Sequence, residues 1–162
     1  MRSAIYIINS GGMTAEEYNT KIRQALRELD ANREAETLRI TFDLMVQVKD
    51  RIQTSGTDYQ GYMFPPYTPA YAKYGRVKMG YQIRHVDFTR EGRLWASIQP
   101  FTRKKTASTV EFDVAPRDSE NQNKLNGQYA KRGNILLPSE SEIEAARRAN
   151  NLRVMKYLNQ VL

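Results

Sequence analysis

Six residues in the middle of the chain, Phe64-Pro65-Pro66-Tyr67-Thr68-Pro69, decide what can form on either side of them. Each proline fixes its own φ near about −65° and pushes the residue before it toward extended backbone. No continuous helix can cross this stretch. The chain must therefore join a separate N-terminal part to a separate C-terminal part through an extended segment. The surrounding residues 57–82 hold Tyr59, Tyr62, Tyr67, Tyr71, Tyr74 and Tyr81, six of the ten tyrosines. That composition predicts an ordered loop anchored by its aromatic rings. The same letters also spell P-x-x-P, but two matching prolines carry little meaning without a disordered, exposed context.

Before the prolines the pattern is helical. Thr14 is followed three residues later by Glu17, a capping box in which each side chain bonds the other residue's free backbone N–H. Tyr18, Ile22, Leu26 and Leu29, then Leu38, Phe42, Met45, Val46 and Ile52, recur at i, i+3, i+4 spacing. Asp30-Ala31-Asn32 interrupts the stripe, and Ser55-Gly56 ends it. One long bent helix or two helices are expected over 14–54. Ahead of them Ile5-Tyr6-Ile7-Ile8, closed by Asn9-Ser10-Gly11-Gly12, reads as a short N-terminal strand. Its apolar run is too short for a signal or membrane segment, which predicts a soluble protein made in the cytoplasm.

After the prolines the period changes to two. Leu94, Ala96 and Ile98 alternate with Trp95, Ser97 and Gln99; Val110, Phe112 and Val114 alternate with Glu111 and Asp113. This predicts a β-hairpin over 92–116, with Thr102-Arg103-Lys104-Lys105-Thr106-Ala107 as a basic tip. Residues 117–128 are polar and read as a long loop. Tyr129-Ala130 and Ile135-Leu136-Leu137 read as an edge strand broken by Gly133. Pro138, Ser139 and Glu142 form a second capping box that opens a C-terminal helix over 139–162. The whole is a single α+β domain, 1–162: an N-terminal strand and long helix, an aromatic and proline loop region over 57–91, a small antiparallel sheet with a protruding hairpin, and a C-terminal helix. At 162 residues it can bury a core without a disulfide or metal staple.

Composition removes several chemistries. With no cysteine there is no thiol nucleophile, disulfide, Cys-bound zinc or iron–sulfur cluster. The single histidine, His85, rules out a multi-histidine metal site. Asp87 could orient His85 as a general base, but no nucleophile is implied nearby, and a hydrogen-bonding structural histidine is the simpler reading. No glycine-rich phosphate loop is present. The expectation is a protein with no catalytic activity and no cofactor.

The charge is +7, from 25 Lys and Arg against 18 Asp and Glu. It is not spread evenly: residues 57–110 carry nine basic and only three acidic side chains. A basic region with interleaved tyrosines suits phosphate neutralisation and base stacking. Arg103, Lys104 and Lys105 are the candidate patch. A hairpin tip kept soluble by its charge explains the same residues.

The order of these segments resembles the tailed-phage virion-morphogenesis proteins, the gpG-like or tail-completion family of head–tail joining neck proteins. Gly61…Phe64-Pro65-Pro66-Tyr67-Thr68-Pro69-Ala70-Tyr71 is similar to the family's proline and aromatic loop. Thr89…Gly92-Arg93-Leu94-Trp95-Ala96-Ser97-Ile98 is similar to its T-G-x-L-x-x-S-I strand start, with Arg90 and Glu91 inserted. Tyr129-Ala130…Gly133 and Leu136-Leu137-Pro138-Ser139-Glu140-Ser141-Glu142 follow in the family's order. The resemblance covers 55–148 by motif.

It implies a structural protein of the virion neck, in a homo-oligomeric ring between the portal side and the tail, with other neck, portal and tail proteins as partners and no membrane. Phe64, Tyr67, Tyr71 and Tyr74 are then candidate subunit-interface residues. Arg103, Lys104 and Lys105 are candidates for facing DNA in the channel or an acidic partner. A non-specific nucleic-acid-binding module using 57–110 is the alternative. Trp95 is expected to be packed.

Overall fold

A computed structural model describes residues 12–161. The expected N-terminal strand at 5–8 lies outside the described residues. The architecture is α+β, with five α-helices and one two-stranded antiparallel sheet among the described residues.

Both N-terminal helices start and stop where the side chains dictate. Helix α1 spans Ala15–Ala31. The Glu17 N–H donates to Thr14 Oγ1 at 3.2 Å and the Thr14 N–H to Glu17 Oε2 at 2.8 Å, so the first capping box is formed. At Asn32 the backbone leaves helical geometry, and the amide Nδ2 donates to the Glu28 carbonyl at 3.0 Å. Helix α2 then runs Arg33–Ser55. Of the two arrangements expected over 14–54, the pair of helices is the one that forms. Helix α2 ends at Gly56, whose φ of +65° is left-handed. A Cβ there would also lie 2.6 Å from the His85 side chain. Glycine is needed twice over, for its conformation and for the close approach.

Residues 93–97 differ from the expected strand. Gly92, at φ +75°, turns the chain into a one-turn helix α3, Arg93–Ser97, and β1 begins only at Ile98. Leu94, Trp95 and Ile98 are all buried, which a strand alternating between faces could not achieve but i, i+1, i+4 spacing on a helical turn can. Strand β1 (Ile98–Lys105) pairs with β2 (Val110–Pro116), from Ile98 opposite Pro116 to Lys105 opposite Val110. Arg103 has no opposite residue and forms a bulge between Thr102 and Lys104.

The polar stretch read as a loop is also helical. Helix α4 spans Ser119–Arg132. Asp118 caps it by accepting from the Asn121 N–H at 2.9 Å, and Gly133 ends it at φ +72°. Tyr129 and Ala130 therefore belong to α4 rather than to an edge strand. Ile135 is not in a strand either; it is buried in the core just past the helix end. Helix α4 needs little apolar surface, because Leu125 and Tyr129, one turn apart, are enough to hold one face against the core.

The last helix, α5 (Glu140–Val161), starts with the second capping box: the Ser139 N–H donates to Glu142 Oε2 at 2.6 Å and the Glu142 N–H to Ser139 Oγ at 3.3 Å. Glu142 also takes an ion pair from Arg51 Nε at 2.8 Å. Arg51 Nη2 in turn donates to the Leu137 carbonyl at 2.9 Å. Farther along, Arg153 pairs with Asp43 at 2.8 Å, and the Tyr157 hydroxyl donates to Glu28. Contacts that run 142 to 51, 153 to 43 and 157 to 28 set α5 antiparallel to α2 and bring its end to α1.

The core lies where α2, the aromatic loop, α3, β1 and α4 meet. Val48, Ile52, Phe64, Val86, Trp95, Leu125 and Ile135 fill it. No described helix is long and apolar enough to cross a membrane.

Gly56→Ala should cost about 1–2 kcal/mol for the left-handed backbone alone, read as a lower urea midpoint. Adding His85→Gly, which removes the Cβ that the new methyl would meet, should cost less than the two single losses together. Additive losses would show that the contact with His85 contributes nothing.

Candidate functional site

The proline and aromatic loop is held by one buried ion pair. After Pro69 the chain makes a π-helical stretch, Tyr71–Arg76, then a short 3-10 turn, Val77–Met79. These turns carry Arg76 inward until it is 1% exposed. Its Nη2 contacts both carboxylate oxygens of Asp87, at 3.1 and 3.0 Å. Its other donors reach the Gln82 carbonyl and the Thr89 carbonyl, both at 2.7 Å. The guanidinium lies 4.4 Å from the Tyr67 ring centroid and 5.6 Å from that of Tyr81. Such a buried pair is tolerable because the arginine's donors and the carboxylate's acceptors are satisfied together.

Asp87 is the other half of the knot. Its carboxylate accepts from the Tyr67 hydroxyl at 2.9 Å, from Gln82 Nε2 at 2.6 Å and from the Thr89 N–H at 2.9 Å. Its backbone N–H donates to the Tyr67 oxygen at 3.1 Å, and its carbonyl accepts from Trp95 Nε1 at 3.1 Å. Burial pushes the Asp87 carboxyl up. The bonds from Gln82, Thr89 and Tyr67, with the Arg76 charge, outweigh burial and hold it below the usual aspartate value. Burial and the same carboxylate push the Tyr67 phenol up to about 12. The turn at 87–89 puts Phe88 at φ +51°, a left-handed conformation that a bulky residue adopts only under constraint. The Phe88 ring packs edge-on against Phe64, with centroids 5.2 Å apart.

The four expected interface aromatics thus divide into two kinds. Phe64 is 6% exposed and belongs to the core; Tyr67 is half-buried on Asp87. Both are anchors. Tyr71 lies flat on Gly75, where a Cβ would come within 2.5 Å of its ring, and meets Tyr67 edge-on at 5.4 Å between centroids. It keeps an exposed side. Tyr74 is 65% exposed. Sequence reasoning missed Tyr62, 70% exposed, and also Met63, Val77, Met79 and Ile83, which are exposed as well. Loop residues give no periodic signal from which exposure could be read.

The basic tip is less free than its sequence suggests. Arg103, Lys104 and Lys105 lie within β1, and the turn itself is the polar 106–109, closed by the Thr106 N–H donating to the Thr109 carbonyl at 2.8 Å. Each of the three cations faces a carboxylate. Arg103 stands 3.9 Å from Glu111 and 3.6 Å from Asp113; Lys104 stands 4.0 Å from Glu111; Lys105 pairs with Glu34 on α2. Arg33 of α2 also donates to the Ala107 carbonyl at 2.8 Å, tying the turn to that helix.

His85 and Asp87 do not form a catalytic pair. His85 Nε2 is 2.8 Å from the Gln53 carbonyl, at the end of α2, while Asp87 is held by Arg76. Among the described residues no three His, Cys, Asp or Glu side chains come together as a metal site.

Cations with less compensation occur elsewhere. A cleft of about 790 Å³ opens between the loop, residues 88–94 and α4. Arg90, Arg93, Lys124, Lys131 and Arg132 line it, against only Glu91 and Glu120. An apolar groove of about 360 Å³ lies on the other side, between α2, β2 and 136–138, where Phe42 and Val46 remain largely exposed. Comparison with known protein families, with curated proteins and with solved structures finds nothing that matches the chain.

Asp87→Ala strands a buried arginine and should cost about 3–5 kcal/mol. Arg76→Met combined with Asp87→Ala should cost less than the two single losses together. Additive losses would mean the two groups are not coupled. The pH dependence has two edges. Asp87 contributes stability that is present above its ordinary value of 3.8 and is lost as pH falls below it. Tyr67 contributes stability present below 10.0 and lost as pH rises from there to about 12. Urea midpoints across pH should fall off in both windows in wild type, with the acid edge reduced in Asp87→Ala.

Proposed function

We propose that this chain is a structural protein of a tailed-phage virion, a subunit of the neck ring that joins head to tail. The observation that carries the reading is the apolar surface the single chain leaves open. Helix α1 buries only Ala25, although its stripe of Tyr18, Ile22, Leu26 and Leu29 is amphipathic in pattern. Leu26 on α1, Phe42 and Val46 on α2, and Leu152 and Met155 on α5 remain exposed, as do Tyr62, Met63 and Tyr74 on the loop. Phe42 and Val46 border a continuous apolar groove, the kind of patch that an assembly interface covers. The exposed groups lie on different parts of the surface. That suits a ring, where one patch of a subunit meets a different patch of the next.

The neck assignment itself rests on the order of the motifs. The loop at 61–71 is the most developed of them, because Phe64 and Tyr67 fix its base while Tyr71 and Tyr74 stay available to a neighbour. A nucleic-acid-binding module built on the hairpin has less support, since Arg103, Lys104 and Lys105 each stand beside a carboxylate.

Native mass measurement and negative-stain imaging, with the chain mixed with the products of adjacent genes, test this reading. A ring that joins portal-side or tail-side proteins is the expected result. The reading fails if the chain stays monomeric with all of them and is absent from purified particles. Tyr62→Ala with Tyr74→Ala should shift monomer stability by less than about 0.5 kcal/mol yet abolish ring formation.

A further inference from the structure

We infer that the cleft between residues 88–94 and α4 is a docking site for an extended, acidic segment of a partner protein. Its lining is cationic and only partly compensated. Arg93 pairs with Glu91 at 2.8 Å and Lys124 with Glu120 at 2.6 Å. Arg90 and Lys131 are exposed and make no ion pair among the described residues. Arg132 lies 5.7 Å from the Phe88 ring centroid, donates to Gln128 at 2.6 Å, and has its Nε buried without a partner. Three guanidinium groups, Arg90 and Arg93 from one wall and Arg132 from the other, face the cleft and suit carboxylates, which they can grip in bidentate fashion.

The shape selects among acidic partners. A duplex is too wide for a cleft of about 790 Å³. A single nucleic-acid strand would fit, but binding such a strand calls for successive open aromatic faces. Here the Tyr67 face is covered by Arg76 and the Phe88 face by Arg132. Only Tyr71 offers an open side. An extended peptide needs no stacking series: its carboxylates meet the arginines and one apolar side chain rests on Tyr71. The walls are already built, since the Arg76–Asp87 knot fixes one side and the core contacts of Leu125 and Tyr129 fix the other. Little ordering of the site is required on binding.

This site goes beyond the neck reading and is tested apart from it, on the purified chain rather than on particles. Fluorescence anisotropy with a labelled hexaglutamate peptide should show binding that weakens as salt rises. Arg90→Ala with Lys131→Ala should weaken it about tenfold or more, with the thermal unfolding midpoint unchanged. Arg103→Ala with Lys104→Ala removes the same formal charge and should leave affinity within about twofold. Three results overturn the proposal: no binding of hexaglutamate at low salt, equal losses in the cleft and hairpin variants, or tighter binding of a short oligothymidylate that depends on Arg90 and Lys131. The last would make the cleft a nucleic-acid site.

Discussion

The buried ion pair between Arg76 and Asp87 is the constraint on which the middle of the molecule depends. Without it residues 64–89 would be a proline-interrupted segment with few apolar side chains turned inward. With it, four pieces of chain are fixed to one residue: the Tyr67 loop, the Gln82 turn and the Thr89 backbone through the Asp87 carboxylate, and Trp95 of α3 through the Asp87 carbonyl. A buried ion pair seldom adds much net stability over an apolar substitute. Its value here is specificity, because only one arrangement satisfies all of those donors at once. The left-handed Phe88 and the π-helical turn at Tyr71–Arg76 are local distortions that this arrangement imposes.

A second arginine works in a similar way at the other end of the core. Arg51 takes the carboxylate that also closes the capping box of α5, so helix initiation and helix docking share one side chain, Glu142. Loss of Glu142 would fray the start of α5 and remove its tie to Arg51 of α2 together. The two arginine centres hold elements that contribute to the core around Ile52.

What was legible in the sequence follows from how local each determinant is. Both capping boxes, the break at Asn32 and the stop at Gly56 depend on residues within four positions of each other, and all could be read directly. Helix α4 was hidden because its polar face dominates its composition. The signals for it were Asp118, the Lys131-Arg132 pair in the last turn and Gly133, with Leu125 and Tyr129 one turn apart. Residues 94–98 misled because Leu94, Ala96 and Ile98 alternate, although Trp95 is as buried as Leu94 and Ala96 is exposed. At the candidate sites, the clustering of tyrosines pointed to the right segment, but which rings turn inward depends on Asp87, twenty residues beyond Tyr67. The charge of 57–110 was equally visible; the pairing of its three hairpin cations with Glu34, Glu111 and Asp113 is a matter of tertiary contact and strand register.

The chain's one tryptophan donates its indole hydrogen to the Asp87 carbonyl and is almost fully shielded from water. Its emission is therefore a built-in reporter for the ion-pair centre. It will sense that centre loosening while remaining silent to fraying at the start of α1 or the end of α5. Fluorescence and helical circular dichroism will follow different parts of this molecule, and a gap between their unfolding curves would measure how independently the outer helices come away from the arginine-centred core.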